Sequence, residues 1–254
     1  MRTVIDHPLL LFAVSFGVLW FAALMGASFF RRKLQLAEEM REDFGHLLVA
    51  TLTLLALIIG FLFMMATTRF DQRKMFEEEE ANAIGTEYLR ADLLPAAEAA
   101  KVRALLVSYL DQRILFHSAE HKQDIREIDA RTARLQAELW SAVLASAEAR
   151  PTPITALAVA GMNDVINRQG YTQSAWWNRI PKGAWYLVFA IAIFSNLLFG
   201  YGERKIKGAG KLLAIQPLVL SIAFAFIADI DSPRAGLILV QPQNLESLAA
   251  SLRK

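Results

Sequence analysis

Four long apolar runs dominate the pattern of hydrophobic and polar positions along the chain. They cover residues 9–30, 44–66, 183–201 and 212–228, and none of them contains a Lys, Arg, Asp or Glu. An α-helix rises 1.5 Å per residue, so about 20 residues cross a hydrocarbon core of roughly 30 Å. The runs therefore predict four transmembrane helices, arranged as two hairpins that turn through "RRKLQLAEEMRED" and "GERKIKGAGK".

The segment between the two hairpins is polar and has helical periodicity. Apolar residues recur there on one helix face, as in the set Val102, Leu105, Leu106, Tyr109 and Leu110. Pro151 and Pro153 then separate two of the predicted helices. We predict an all-α membrane protein, with four transmembrane helices in two hairpins and a helical soluble middle domain. Its predicted parts are hairpin 1 at 1–68, the soluble domain at 69–180, hairpin 2 at 181–230, and a C-terminal tail at 231–254 that packs on the soluble domain.

Composition narrows the possible chemistry. The chain has 254 residues and no cysteine, which excludes disulfides, thiol catalysis and cysteine-based metal sites. It has no phosphate-binding glycine loop and no nucleophile elbow, and the mixed charges of the middle segment argue against nucleic-acid binding. His117 and His121 have a spacing that can hold a metal, but they lack the adjacent glutamate of a zinc protease, so a solvated pair is the favoured interpretation. We expect no enzyme activity, no cofactor and no metal.

Polar and small residues within the runs indicate how the helices pack. Asn196 and Gln216 are expected to hydrogen-bond between helices. The runs hold no charged side chain, so a proton relay or a pump for charged substrates gains no support, and a passive pore or a scaffold is favoured. Small residues at four-residue spacing allow close helix contact in the first run, at Ala13 with Gly17 and at Ala22 with Gly26.

Aromatic residues bracket the start of the third run. They are Trp176, Trp177, Trp185 and Tyr186. Such rings, with an apolar body and a polar group, favour the interface between lipid and water. We interpret them as membrane anchors, and a ligand cage is the less favoured alternative.

Four consecutive glutamates, Glu77 to Glu80, follow the second run. Consecutive residues on a helix spread over all faces, so at most two of these carboxylates share one face. One interpretation is a solvated helix next to the membrane. The other is a ring of carboxylates, contributed by Glu77 and Glu80 of several subunits, at the vestibule of a pore.

Three phrases give the chain a family resemblance. They are "EEEEANAIGTEYLRADLLP" after the second run, "NRIPKGAWYLV" at the start of the third and "DIDSPRAGLILVQPQNLESL" after the fourth. With the paired hairpins around a helical middle, they make the chain similar to the bacterial bestrophin-like membrane proteins, relatives of the bestrophin anion channels. The resemblance implies a multi-pass protein of the bacterial inner membrane that forms a homo-oligomeric ion channel, with five subunits. A non-conducting membrane scaffold that binds another protein is the alternative.

The resemblance also places a pore constriction on the second run. The phrase "IIGFLFMMATTRFDQ" is similar to the pattern that follows the constriction of bestrophins. Carried over by position, the apolar neck falls on Thr53, Leu57 and Phe61, which share one helix face. Bestrophin necks are apolar at all three levels, and Thr53 departs from that pattern. Most bestrophins pass anions, which implies a chloride channel. Pore-facing glutamates would favour cations, as some bacterial relatives do, so the ion sign stays open.

Two aspartates, Asp229 and Asp231, close the fourth run. In animal bestrophins an acidic run after this helix forms a calcium clasp, following an Asn-Pro-Phe-Gly turn. Here the acids precede the turn, which reads Ser-Pro-Arg-Ala-Gly, and two carboxylates are few for a cation that needs six to eight oxygens. A cation site is therefore the weaker interpretation. In the favoured one, Asp231 initiates the turn before Pro233 and Asp229 marks the aqueous boundary.

Overall fold

The structure, a computed structural model, describes residues 2–30, 40–119, 121–202 and 212–253. Most of the two predicted hairpin loops therefore lies outside the described residues. Over the described ranges the secondary structure is helical, with no β-strand. Four helices are long and apolar enough to cross a membrane. The predicted fold class, an all-α membrane protein with four transmembrane helices, is confirmed.

The chain divides into two compact units. The first, which we call the membrane unit, comprises residues 1–68 and 179–239, and the second, the helical unit, comprises residues 69–178 and 240–254. The membrane unit contains α1 (Arg2–Ile5), α2 (Pro8–Met25) with a π-helical extension (Gly26–Phe30), the first part of α3 (Met40–Arg90), α7 (Lys182–Gly202) and α8 (Ile215–Asp231). The helical unit contains the rest of α3, then α4 (Ala96–Ser118), α5 (Lys122–Ala149), α6 (Pro153–Trp177) and α9 (Gln243–Leu252).

Helix α3 is one continuous helix of 51 residues that begins in the membrane unit and ends in the helical unit. It contains no proline, so no backbone N–H is missing from its hydrogen-bond ladder. The helix gives way to a short 3₁₀ turn, and Leu94 is extended at φ −93° and ψ 160°. That conformation is the one favoured for a residue that precedes a proline, here Pro95.

The core of the helical unit follows from the apolar stripes of its helices. Helix α6 begins where the predicted break falls, because Pro153 occupies its first turn and Thr152 forms a capping box with Thr155. The helix continues to Trp177 and includes the stretch "QGYTQSAWW". The most deeply buried apolar residues include Ile84, Val102, Leu106, Leu110, Leu139, Val143, Met162, Val165 and Leu245.

In the membrane unit, glycines bring α2 and α7 into contact. A Cβ atom on Gly26 would collide with the carbonyl oxygen of Leu197, and one on Gly200 would collide with the carbonyl oxygen of Ala23. Gly17, in contrast, faces open space. Of the two small-residue pairs in the first run, the one that contains Gly26 therefore lies at the close contact.

The aromatic residues around the start of α7 separate into buried and exposed pairs. Trp177 and Tyr186 are exposed, as membrane anchors would be. Trp176 is buried against Phe116 in the helical unit, and Trp185 is buried in the membrane unit. The anchor interpretation is therefore wrong for Trp176 and Trp185, because packing inside the protein occupies their rings.

Candidate pore helix and the acidic clusters

One face of α3 in the membrane unit is apolar and uncovered. Leu57 and Phe61 are 54% and 55% exposed, and Thr53 is also exposed. Leu55 and Leu62 are buried, because they lie on the opposite face at helical spacing. Only 11% of the most apolar stretch of this helix is buried within the chain, against 44% for the fourth span. The second span thus depends on lipid or on other protein copies to cover it.

The hydroxyl of Thr53 does not make this face polar. Its Oγ1 donates to the carbonyl oxygen of Val49 over 2.8 Å, within the same helix. A threonine in this arrangement has its donor satisfied by its own backbone and presents its methyl group outward. Thr53, Leu57 and Phe61 therefore form one exposed face of mainly apolar character, and a constriction would require several copies of this helix.

Glu77 caps another helix of the helical unit. Its Oε1 accepts from the backbone N–H groups of Asn244 and Leu245, each over 2.9 Å, and its Oε2 accepts from the side-chain amide of Asn244 over 2.6 Å. These N–H groups belong to the first turn of α9, whose N-cap is Pro242, a residue without a side-chain acceptor. The glutamate therefore supplies, from α3, the capping carboxylate that α9 lacks.

Glu80 forms a buried ion pair. The Nε of Arg113 on α4 donates to Oε1 of Glu80 over 2.5 Å, and both side chains are fully buried. The hydroxyl of Thr172 on α6 donates to Oε2 over 2.8 Å, and the guanidinium lies 4.5 Å from the ring centroid of Phe116. The carboxylate thereby joins α3, α4 and α6 inside the helical unit.

The four glutamates therefore have different environments. Glu77 and Glu80 are buried, Glu79 pairs with Arg168 over 2.5 Å, and Glu78 is exposed. A vestibule role for Glu77 and Glu80 would require the helical unit to open around them. Within a single chain, Glu78 is the carboxylate of the run that solvent reaches most freely.

The two aspartates of the fourth span order the backbone that follows α8. Asp229 accepts from the backbone N–H groups of Leu237 over 2.8 Å and Ile238 over 3.0 Å. Gly236, with φ +146°, lies against this carboxylate, where a Cβ atom would collide with Oδ1. Glycine suits both requirements, since its backbone adopts positive φ without a steric penalty.

Asp231 anchors the segment that leads into α7. It accepts from Nε of Arg179 over 2.9 Å and from the backbone N–H of Ile180 over 3.2 Å. Asp229 thus shapes the turn, and the turn itself is closed by Ser232, whose hydroxyl accepts from the N–H of Ala235 over 3.2 Å. The turn-initiating role expected for Asp231 is wrong, because its carboxylate binds Arg179 and Ile180 and Ser232 closes the turn instead. The expectation that Asp229 marks the aqueous boundary stays a prediction.

Metal ligation has no visible basis in the described parts of the chain. No group of three or more His, Asp or Glu side chains is placed to hold a metal there. His117 is buried against the ring of Trp176 near the end of α4, and His121 is the N-cap of α5. The two histidines therefore do not share one helix face. The interpretation as a solvated pair is wrong for His117.

Sequence reasoning missed several residues that organise these sites. Arg113, Thr172 and Arg179 hold the acidic residues, yet each lies far from its partner along the chain. One signal was available in the spacing of α3. Glu77, Glu80, Ile84, Glu87 and Ala91 recur at intervals of three and four residues, which places the three glutamates on the same face as core residues.

Comparison with solved structures addresses the fold of the whole chain. A crystal structure of a bacterial bestrophin homologue from Klebsiella pneumoniae, carrying a single substitution, matches with a TM-score of 0.65 and 12% identity, over 94% of this chain and 96% of that chain. Another structure of a bestrophin homologue from this organism matches with a TM-score of 0.64 and 13% identity, over 96% of both chains. A crystal structure of a membrane protein that carries a single substitution matches with a TM-score of 0.66 and 13% identity, also over 96% of both chains.

Sequence comparison gives no comparable match. No protein-family model matches the chain, and no curated protein matches it. The structural matches cover nearly the whole length of each chain, and a likeness at such low identity concerns the fold. The predicted resemblance is confirmed at this level: the chain has the fold of the bacterial bestrophin homologues.

Proposed function

We propose that the protein is the subunit of a homo-oligomeric ion channel, with α3 lining the pore. The observation that carries the proposal is the uncovered apolar face of α3, formed by Thr53, Leu57 and Phe61. The bestrophin resemblance indicates five subunits around one axis in the bacterial inner membrane. In such a ring, five copies of this face surround a narrow neck.

An apolar neck controls ion passage by determining whether water fills the pore. Where the pore is narrow and its wall is apolar, a continuous water column is disfavoured, and an ion must lose part of its hydration to pass. Leu57 and Phe61 supply the apolar surface, and Thr53 adds mainly its methyl group because its hydroxyl is bonded within the helix. The neck then acts as a gate that opens when it becomes wet.

The proposed permeant ions are small anions, with chloride as the reference ion. The resemblance favours anions, because most bestrophins pass them. The argument for cations rested on a ring of carboxylates, and Glu77 and Glu80 are held inside the helical unit by Asn244, Leu245 and Arg113. Buried carboxylates that are already paired attract cations to a pore weakly.

Reconstitution of the purified protein in planar bilayers tests the proposal. Under a gradient of potassium chloride, we expect single-channel currents whose reversal potential lies toward that of chloride. A reversal potential toward that of potassium would reject the anion assignment but would still support an ion channel. An oligomer that passes no current under any gradient would support the scaffold alternative.

The arrangement of α3 has its own test, since the chain has no native cysteine. Leu57→Cys introduces a single thiol on the proposed pore face, and oxidation in membranes should join neighbouring copies. Leu187→Cys on α7, also exposed in the chain, is the matched control and should not cross-link within the oligomer. Equal cross-linking of the two variants, or none from Leu57→Cys, would contradict a pore lined by α3.

A further inference from the structure

Glu87 is a buried carboxyl group without a hydrogen-bond partner among the described residues. It lies in the helical unit, 21 residues beyond the end of the apolar run at Ala66, which is about 30 Å along the helix. Its side chain is fully buried between the core residues Ile84 and Ala91, and neither carboxylate oxygen has a hydrogen-bond partner in the described parts of the chain. Buried polar groups are nearly always bonded, so this exception needs a physical explanation.

The carboxyl group of Glu87 lies at the contact between α3 and α6. Gly161 of α6 packs directly on it, and a Cβ atom at that position would collide with Oε2 of Glu87 and press on Nη1 of Arg90. Asp164, one turn further along α6, is near enough to act on the charge of Glu87, as is Arg90. A glycine at position 161 thus leaves just enough room for the acid at this contact.

This environment favours the protonated acid. Burial raises the pKa of Glu87 to about 8, Arg90 opposes the rise, and the negative charge of Asp164 adds to it. Two further charged side chains of the surrounding helices are paired elsewhere. Arg168 of α6 binds Glu79, and Arg103 of α4 binds Asp92. At neutral pH the group is therefore an uncharged acid inside the core.

A route for protons lies beside it. A groove of about 290 Å³ runs along the contact between α3 and α6, and Gly161, Arg90 and Asp164 contribute to its wall. The groove is open and polar, with Asn82 and Thr86 on the α3 side, so water reaches the glycine that covers the carboxyl group. Local opening of the two helix segments at this contact, in which their backbone hydrogen bonds break, would hydrate Glu87.

We propose that Glu87 is a proton-binding site that keeps the contact between α3 and α6 closed while it is protonated, and opens this contact to water when it loses the proton. The proposal concerns the helical unit alone and does not depend on ion conduction. It makes the contact of α3 with α6 sensitive to pH between about 4.5 and 8, through a residue outside the apolar span.

The direction of the pH effect follows from linkage between protonation and opening. In the open, hydrated state the carboxyl group has its ordinary pKa of about 4.5, whereas in the closed state the pKa is about 8. Between these values the closed state holds one more proton, so the opening constant rises about tenfold per pH unit. Above about pH 8 both states are deprotonated, and the opening constant levels off.

Hydrogen–deuterium exchange of the full-length protein in detergent measures the opening constant. Peptides covering residues 79–91 and 157–168 should lose protection by about 50-fold from pH 6 to pH 8, after correction for intrinsic exchange rates, and by about a further twofold before the profile reaches its plateau. Glu87→Gln, which imitates the protonated acid, should abolish this dependence. Glu78→Gln is the matched control on the exposed side of α3 and should keep the wild-type profile.

Two further variants change the pH at which the exchange profile reaches its plateau, which we call the break. They shift the break in opposite directions. Asp164→Asn removes a repulsive charge and should move the break to lower pH, whereas Arg90→Met removes an attractive charge and should move it to higher pH. If Glu87→Gln fails to fold, the pH profiles of these two variants test the proposal instead. A wild-type profile without pH dependence, an unchanged profile in Glu87→Gln, or an unmoved break in Asp164→Asn and Arg90→Met would overturn the proposal.

Discussion

The backbone N–H of Leu245 donates to Oε1 of Glu77 over 2.9 Å, across 168 positions of the sequence. This bond brings the start of α9 against α3 within the helical unit. It also means that a residue of the acidic run serves as the cap of a helix near the C-terminus. The glutamate gains the favourable end of the α9 dipole, and α9 gains acceptors for two N–H groups.

Replacing Glu77 should release α9. In Glu77→Ala the N–H groups of Asn244 and Leu245 lose a charged acceptor, and we expect a loss of about 2 kcal/mol in the free energy of unfolding. The exposed neighbour provides the control, since Glu78→Ala should change stability by less than about 0.5 kcal/mol. Thermal unfolding in detergent and amide exchange of residues 243–252 check both variants. Equal effects of the two substitutions would show that the cap contributes nothing.

The acidic run shows where sequence reasoning succeeds and where it stops. The helical period places Glu77 and Glu80 on one face correctly, because that depends on α3 alone. Whether the face is exposed depends on partners that come from elsewhere in the chain, such as Arg113 and Leu245. The apolar runs were predictable for the opposite reason, because the length and composition of a membrane span are properties of a single segment.

Removing one member of the buried pair Glu80 and Arg113 should destabilise the protein strongly, whereas replacing both members should destabilise it less. Glu80→Gln leaves the guanidinium buried without a counter-charge, and we expect a loss of about 3–5 kcal/mol in the free energy of unfolding. Arg113→Met should be similar. The double variant Glu80→Gln with Arg113→Met removes both charges and should be more stable than either single variant. Denaturant unfolding of the four proteins measures the coupling, and additive losses would contradict it.

The partly exposed ion pair between Glu79 of α3 and Arg168 of α6 is the comparison for the buried pair. Glu79 and Arg168 are each more than a third exposed, so water screens their attraction. We expect Glu79→Gln to cost less than about 1 kcal/mol. A loss as large as that of Glu80→Gln would mean that burial does not govern the strength of these pairs.

The contact between α2 and α7 should depend on two glycines and not on a third. Gly26→Ala and Gly200→Ala place a methyl group against the backbone carbonyls of Leu197 and Ala23, so the helices must separate. We expect a loss of about 1–3 kcal/mol from each through overpacking. Gly17→Ala faces open space and should be neutral or stabilising, since alanine favours helices by about 1 kcal/mol. Melting temperatures in one detergent check all three variants, and a loss in Gly17→Ala equal to the others would contradict this assignment.

The neck predicts that smaller side chains on α3 increase current. Leu57→Ala and Phe61→Ala remove apolar surface from the proposed constriction, which should hydrate it and raise the single-channel conductance. Both side chains are more than half exposed within one chain, so the fold of the subunit should lose little stability. Leu62→Ala on the opposite, buried face is the control, and it should cost about 2–5 kcal/mol without raising conductance. Planar-bilayer recording beside thermal unfolding of the same preparations separates the two faces. If Leu57→Ala and Phe61→Ala instead destabilise the protein as strongly as Leu62→Ala and leave the current unchanged or lost, these side chains pack against neighbouring helices and do not form the neck.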